Sequence, residues 1–238
     1  PPRSTLSSSS AASDVYKRQV SEALKRDLPV ELSLIPFIES QFDPYAQSST
    51  GASGIWQFIP STAKENGLKK NWWYDARRDI VASTDAAYNF LTKLHQEHDD
   101  WLIAIAAYNA GPSRVRKEIK KNKAKGLPTD FWSLNLPKET KAYVPKILAL
   151  SEVIRNPQLS NIELPYLANR PYFRIVKLPS QVDLMQIANL SGLKFLKPEY
   201  NNNFTPFIVE KLIPSKELGS VVGVMPTACL LYTSDAAD

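Results

Sequence analysis

Residues Trp101 to Ala107, WLIAIAA, are apolar on every side, and this run constrains the fold more than any other part of the chain. A helix with a single apolar stripe can lie on a surface, whereas one that is apolar all round must be enclosed by its neighbours. The chain therefore folds around a central buried helix. The uninterrupted run Leu102–Ala107 falls far short of the ~20 residues a membrane-spanning helix needs, which excludes a helical membrane domain.

The enclosing elements can be read from spacing. Ile80, Thr84, Ala87, Leu91 and Leu94 recur at i, i+4, i+7, i+11 and i+14, which predicts a long helix beginning near Asp79. Pro29 to Ser40 predicts a short packed helix ending near Glu39, with Leu32, Ile35, Phe37 and Ile38 as its apolar residues. Pro60 to Gly67 predicts one or two helical turns closed by glycine. Pro112-Ser113 opens a basic helix with Val115 and Ile119 facing inward, and Tyr143, Ile147, Leu150 and Ile154 define a last helix ended by Asn156-Pro157. With 8 glycines against 18 prolines, a glycine-turn-rich β-sandwich is disfavoured and a mainly α fold expected.

The expected organisation is one helical domain over residues 20–156, a linker over 157–170 and a small α+β module over 171–228, where Phe173–Lys177 reads as a strand. Residues 1–19 are Ser/Ala-rich, show no periodicity and lack the apolar core of a signal peptide; they read as a leader outside the fold. Residues 229–238 read the same way, and both ends have the look of scars from cloning or sequence assembly. The lone cysteine, Cys229, falls in that tail and excludes an internal disulfide framework.

Hydrophobic residues at 43% and charged residues at 22% exclude a disordered chain. The net charge of +5 is concentrated in Arg114, Arg116, Lys117, Lys120, Lys121, Lys123 and Lys125, among which only Glu118 is acidic. That stretch is either a solvated face or a contact for a local anionic partner; nucleic acid is not expected as a ligand.

Glu39 follows Ile35, Phe37 and Ile38 and closes a helix. Burial and the negative end of the helix dipole both disfavour its charged form, so it can stay protonated near neutral pH, as a general acid must. The plain alternative is a solvated Glu at a frayed helix end. His95 and His98 sit at i, i+3 without a further ligand cluster, which reads as the polar end of a helix; no metal site is expected.

Six stretches occur in a telling order: Glu39-Ser40-Gln41-Phe42, Gly51–Phe58, Tyr74–Thr84, Ala107–Gly111, Lys125–Leu134 and Glu139–Val144. Together they resemble the family 1 lytic transglycosylases, goose-type-lysozyme-like enzymes that cut peptidoglycan, over about residues 28–155. The resemblance implies a lysozyme-like helical domain working without cofactor or metal. It implies Glu39 as the single catalytic acid and base, Gln57 and Tyr108 as residues lining the saccharide at the cleavage point, and Tyr143 beside Glu39. Asn109 and Ser40 are further expected contacts, their amide and hydroxyl suited to sugar oxygens. Trp56 is either a core wall or a platform for a pyranose ring.

The implied reaction cleaves the β-1,4 bond between N-acetylmuramic acid and N-acetylglucosamine, with formation of a 1,6-anhydro-N-acetylmuramic acid end. A lysozyme-type hydrolase of the same fold would need a second carboxylate. Asp43 would be its first candidate, although Asp43, Asp75 and Asp79 read more simply as turn and helix-start residues. An inactive peptidoglycan-binding scaffold is a further alternative. Residues 172–201 resemble a degenerate LysM glycan-binding motif, with Phe207–Val209 as its second strand. The resemblance further implies action on glycan strands in the periplasm by a protein held at the outer membrane through a lipid tether; a monomer is expected.

Overall fold

The structure is a computed structural model that describes residues 5–72, 74–163, 174–175 and 222–223, with side chains for residues 15–72 and 74–163. Seven α-helices occupy the described residues: α1 (Thr5–Leu24), α2 (Ile35–Ser40), α3 (Pro60–Glu65), α4 (Ile80–His98), α5 (Trp101–Ala110), α6 (Pro112–Ala124) and α7 (Lys138–Arg155). Helix α5 is the hub, packed against α4, α6 and α7. Ile103 to Ala107 are buried on all sides, and burial of Ile103 and Ile105 stabilises the fold by roughly 1.5–3 kcal/mol each. Its start is set by Asp100, whose carboxylate accepts from the amides of Leu102 (2.7 Å) and Ile103 (3.2 Å). Its end is set by Gly111 at φ +88°, after which Pro112 opens α6.

Helix α4 begins where its spacing predicts. Asp79 caps it through the amides of Val81 and Ala82, and Ile80, Thr84, Ala87, Leu91 and Leu94 are all buried along one stripe. The fold is mainly helical, as its periodicities indicate. Arg174–Ile175 and Val222–Gly223 form a two-residue parallel pair. The expected linker beyond residue 163, most of the 171–228 module with its LysM-like motif and the 229–238 tail lie outside the described residues.

Two expectations need correction. Residues 1–19 were expected to lie outside the fold, yet Thr5 to Gln19 belong to α1, Val15 and Tyr16 pack against the core, and the Gln19 side chain is fully buried. The Tyr88 hydroxyl donates to the Gln19 carbonyl (2.8 Å), and the Thr84 hydroxyl donates to the Gln19 amide oxygen (2.9 Å). A Ser/Ala run has no hydrophobic period of its own, so tertiary contacts at its end decide its conformation. The single helix expected over 29–39 is instead a tight 3₁₀ segment, Val30–Leu34, followed by α2. Pro36 lacks an amide proton and is accommodated near the start of a new helix. The break turns Phe37 outward to 43% exposure while Leu32 and Ile35 remain buried.

Candidate active site

Helix α2 carries Glu39 in its last turn, and the chain then reverses through two left-handed residues, Gln41 (φ 54°) and Phe42 (φ 63°). Their amides return to the carbonyls of Phe37 (3.0 Å) and Pro36 (3.2 Å), and the Phe42 ring is buried beside Tyr16 and Phe37. Left-handed backbone costs a non-glycine residue about 1–2 kcal/mol. Such strain persists where surrounding structure imposes it. Three of the six non-glycine residues with positive φ among the described residues, Gln41, Phe42 and Gln57, lie at this site.

Glu39 is partly buried, and the Tyr143 hydroxyl of α7 donates to its Oε1 at 2.5 Å. Burial pushes its carboxyl up to about 7; the Tyr143 hydrogen bond pulls the other way, and the charge of Glu139 adds to the rise. A carboxylic acid is thereby held half protonated at neutral pH. Burial and the neighbouring Glu39 charge push the hydroxyls of Tyr108 and Tyr143 well above the ordinary tyrosine value, so both remain donors.

The loop Gly51–Phe58 supplies the opposite wall, and its carbonyls collect the other site residues. Ser40 Oγ donates to Ile55 O (3.0 Å) and Pro36 O (3.1 Å), and Tyr108 donates to Trp56 O (2.7 Å). Gln57 Nε2 donates to Gly54 O (2.8 Å) and Ala46 O (3.2 Å). Both amide protons of Gln57 are thus used inside the protein, which leaves its carbonyl oxygen to accept from a ligand. Asn109 is set the other way: its Oδ1 accepts from Thr140 (2.8 Å), leaving its NH₂ to donate.

The loop is itself clamped from behind. Arg77, 4% exposed, donates to Gly51 O (2.7 Å) and Phe58 O (3.1 Å) at the two ends of the loop, and pairs with Asp75 at 2.6 Å. That guanidinium holds the Asp75 carboxyl below the ordinary range against the opposing effect of burial. Gly54, at φ +82°, lies so close to the Arg77 backbone that a Cβ would come within 1.8 Å of its carbonyl oxygen.

The structure therefore brings Glu39, Tyr143, Tyr108, Gln57, Ser40 and Asn109 to one region, with two changes of role. Trp56 is a wall: it is fully buried, its Nε1 donates to Thr84 (3.1 Å), and its ring meets Tyr88 and Tyr108 edge-on. No face of it remains for a sugar. The Ser40 proton is spent on two backbone carbonyls, so Ser40 fixes α2 to the loop and is not a saccharide donor. Sequence reasoning assigned no role to Arg77, Thr140 or Glu139. The first lies in the quoted Tyr74–Thr84 stretch and the others in the Glu139–Val144 stretch, but only folding shows what each reaches. His95 stacks on Trp101 at 4.0 Å, and among the described residues no group of three or more His, Cys, Asp and Glu is arranged to hold a metal.

Residues 19–130 match the family model described as the transglycosylase SLT domain. The chain is 50% identical over 174 residues to the membrane-bound lytic murein transglycosylase D of Escherichia coli (strain K12), a match covering 73% of this chain and 38% of that protein. A protein of Alteromonas sp. (strain M-1) named for tributyltin chloride resistance is 36% identical over 180 residues, covering 75% of this chain and 85% of that protein. The chain belongs to the transglycosylase SLT family. Among solved structures, the 70 kDa soluble lytic transglycosylase of Escherichia coli matches 61% of this SLT chain and 24% of its own, at 25% identity and a TM-score of 0.46. The SLT chain thus spans little more than a third of the length of its lytic murein transglycosylase D relative. Among the described residues no helix is long and apolar enough to cross a membrane.

Removing the Tyr143 hydroxyl tests the carboxyl–phenol pair directly. In Tyr143→Phe the hydrogen bond that favours ionised Glu39 is lost, so the protonated acid persists to higher pH. A titration of the Glu39 carboxyl should show its midpoint displaced upward from about 7. An unmoved midpoint would mean that the Tyr143 hydroxyl does not act on this carboxyl.

Proposed function

We propose that the chain is the catalytic part of a peptidoglycan lytic transglycosylase with a lysozyme-like helical fold, and that Glu39 is its single acid and base. The observation that carries this reading is a partly buried carboxyl, raised to about 7 and held by the Tyr143 hydroxyl, at the junction of α2, α7 and the Gly51–Phe58 loop. Protonated Glu39 gives its proton to the glycosidic oxygen, and the bond from C1 of N-acetylmuramic acid to O4 of N-acetylglucosamine breaks. The acetamido oxygen of the same muramic acid stabilises C1. Ionised Glu39 then takes the proton of the C6 hydroxyl, O6 bonds to C1, and the acetamido oxygen is released. No water enters, and the acid is regenerated. In this reading Asn109 donates to a sugar or acetamido oxygen, Gln57 accepts from a hydroxyl or amide, and Tyr108 lines the cleavage point.

A hydrolytic reading has one observation in its favour. The expected second carboxylates are otherwise engaged: Asp43 accepts from the Tyr45 amide in a turn, Asp75 pairs with Arg77, and Asp79 caps α4. Glu139, exposed in the first turn of α7, is instead the carboxylate whose charge reaches Glu39. Mass spectrometry of muropeptides released from purified sacculi separates the two. Anhydro ends, lighter by one water and resistant to borohydride, are expected from the unmodified protein and from Glu139→Gln alike. Reducible ends that disappear in Glu139→Gln would make the protein a hydrolase with Glu139 as its base.

The site is read as acting in the periplasm, with a lipid tether on the complete protein holding it at the outer membrane. Residues 171–228 are read as a degenerate LysM-like module. The working unit is taken to be a monomer, needing no cofactor.

A further inference from the structure

Helix α6 starts three residues beyond Asn109, directly behind Gly111, so the basic stretch of the chain runs outward from the active site. Its thirteen residues at 1.5 Å each span about 20 Å. Arg114, Lys117, Lys121 and Lys125 follow at i, i+3, i+7 and i+11 and form one stripe along that length, while Val115, Glu118 and Asn122 are turned inward. All four cations are exposed. Lys121 pairs with Glu118 (2.6 Å); Arg114, Lys117 and Lys125 have no ion-pair partner among the described residues. Arg116, on the adjoining face, is occupied by Glu97.

The far end of the stripe carries an aromatic surface. The buried Asn122 amide donates to Pro128 O (2.8 Å) and Ser133 O (3.0 Å), fastening the following segment to the end of the helix. That segment holds Leu127 half exposed and Trp132 63% exposed. The Trp132 ring is backed edge-on by buried Phe131 at 4.9 Å, and Asp130 fixes the turn by accepting from the amides of Trp132 and Ser133. An indole kept in water on a fastened turn, beside a row of cations, is a surface suited to a ligand with both flat apolar faces and negative charge.

We infer that this stripe is an accessory track for the carboxylate-bearing peptide stems of the strand held at Glu39, with Trp132 stacking on the strand at its far end. The inference rests on the proposed action on peptidoglycan. Its line of charge begins at the site and leads away from it, which matches a linear anionic polymer already engaged there. A lipid surface fits less well, because only Leu127 and Trp132 could enter it and the Asp130 carboxylate between them opposes anionic headgroups. Each exposed pair is weak and screened by salt, so the track works as a row.

The test uses the full chain in a Glu39→Gln background, so that sacculi are bound and not consumed. Co-sedimentation with intact sacculi should weaken about tenfold in the combined Lys117→Gln, Lys121→Gln and Lys125→Gln protein and again in Trp132→Ala, with a flatter salt dependence for the first. With Glu39 intact, the combined lysine variant should cleave stem-free glycan strands at the parental rate and show a raised KM only on stem-bearing strands, whereas Trp132→Ala should raise KM on both. Parental binding to intact sacculi by both variants would overturn the track, as would an equal rise in KM on stem-free strands for the lysine variant. Loss of binding to anionic vesicles with unchanged binding to sacculi would reassign the surface to membrane. Failure of the unmodified protein to release anhydro products would refute the reaction while leaving the sedimentation result to judge the track separately.

Discussion

Glu39→Gln is expected to lower kcat of the proposed reaction by roughly three to four orders of magnitude, because in that proposal one group supplies the proton to the leaving oxygen and later removes another. The same substitution should stabilise the protein above neutral pH. The folded Glu39 carboxyl titrates near 7 against 4.5 when solvated, so between those values the folded chain holds a proton that the unfolded chain has released. Stability then falls as pH rises through that window, by about 3 kcal/mol in all, and is flat beyond it. Glutamine keeps an oxygen for the Tyr143 hydroxyl and has no proton to lose. Melting curves at pH 8 should therefore place Glu39→Gln roughly 6–10 °C above the parent, with the two converging near pH 4. Full turnover by the variant with an unchanged melting profile would remove Glu39 from the reaction altogether.

Gly54→Ala is expected to be the most damaging glycine-to-alanine change among the described residues. The new Cβ would lie 1.8 Å from the Arg77 carbonyl oxygen, and the φ of +82° disfavours any side chain there. Neither backbone can yield alone, since Arg77 is pinned to Gly51 O, Phe58 O and Asp75. A loss above about 4 kcal/mol is expected, together with displacement of the loop whose carbonyls receive Ser40, Tyr108 and Gln57. Gly51→Ala is the matched control: its φ is +83°, but nothing lies within 4 Å of the added carbon. It should cost only about 1 kcal/mol. Urea midpoints measured side by side decide the matter; equal losses would mean that the close approach to Arg77 carries no energy.

The contrast between these two glycines shows where local reading stops. Both occur in one quoted stretch, both take left-handed backbone, and nothing in Gly51-Ala52-Ser53-Gly54 says that only the second faces a carbonyl from residue 77. Trp56 is a second case. An aromatic residue beside Gln57 is as consistent with a sugar platform as with a wall, and its contacts with Thr84, Tyr88 and Tyr108 from two distant helices make it a wall. The α1 residues are a third, because Gln19 is ordered by partners some 65 residues away and not by its own helical tendency.

The helical class, the central position of α5, the start of α4 at Asp79 and the expectation of a protonated Glu39 are legible in the residues alone. These follow from period, capping chemistry and the cost of burying charge, all of which act over one or a few turns. Which groups meet that acid is set by long-range packing. Tyr143, 104 residues away, supplies its hydrogen bond, and Glu139 supplies a repelling charge. The Thr140 hydroxyl orients Asn109, and the Arg77–Asp75 pair holds the loop that positions Gln57. A side chain's donors, acceptors and field come from whatever the fold places within a few ångströms of it. Distance along the chain carries no trace of that.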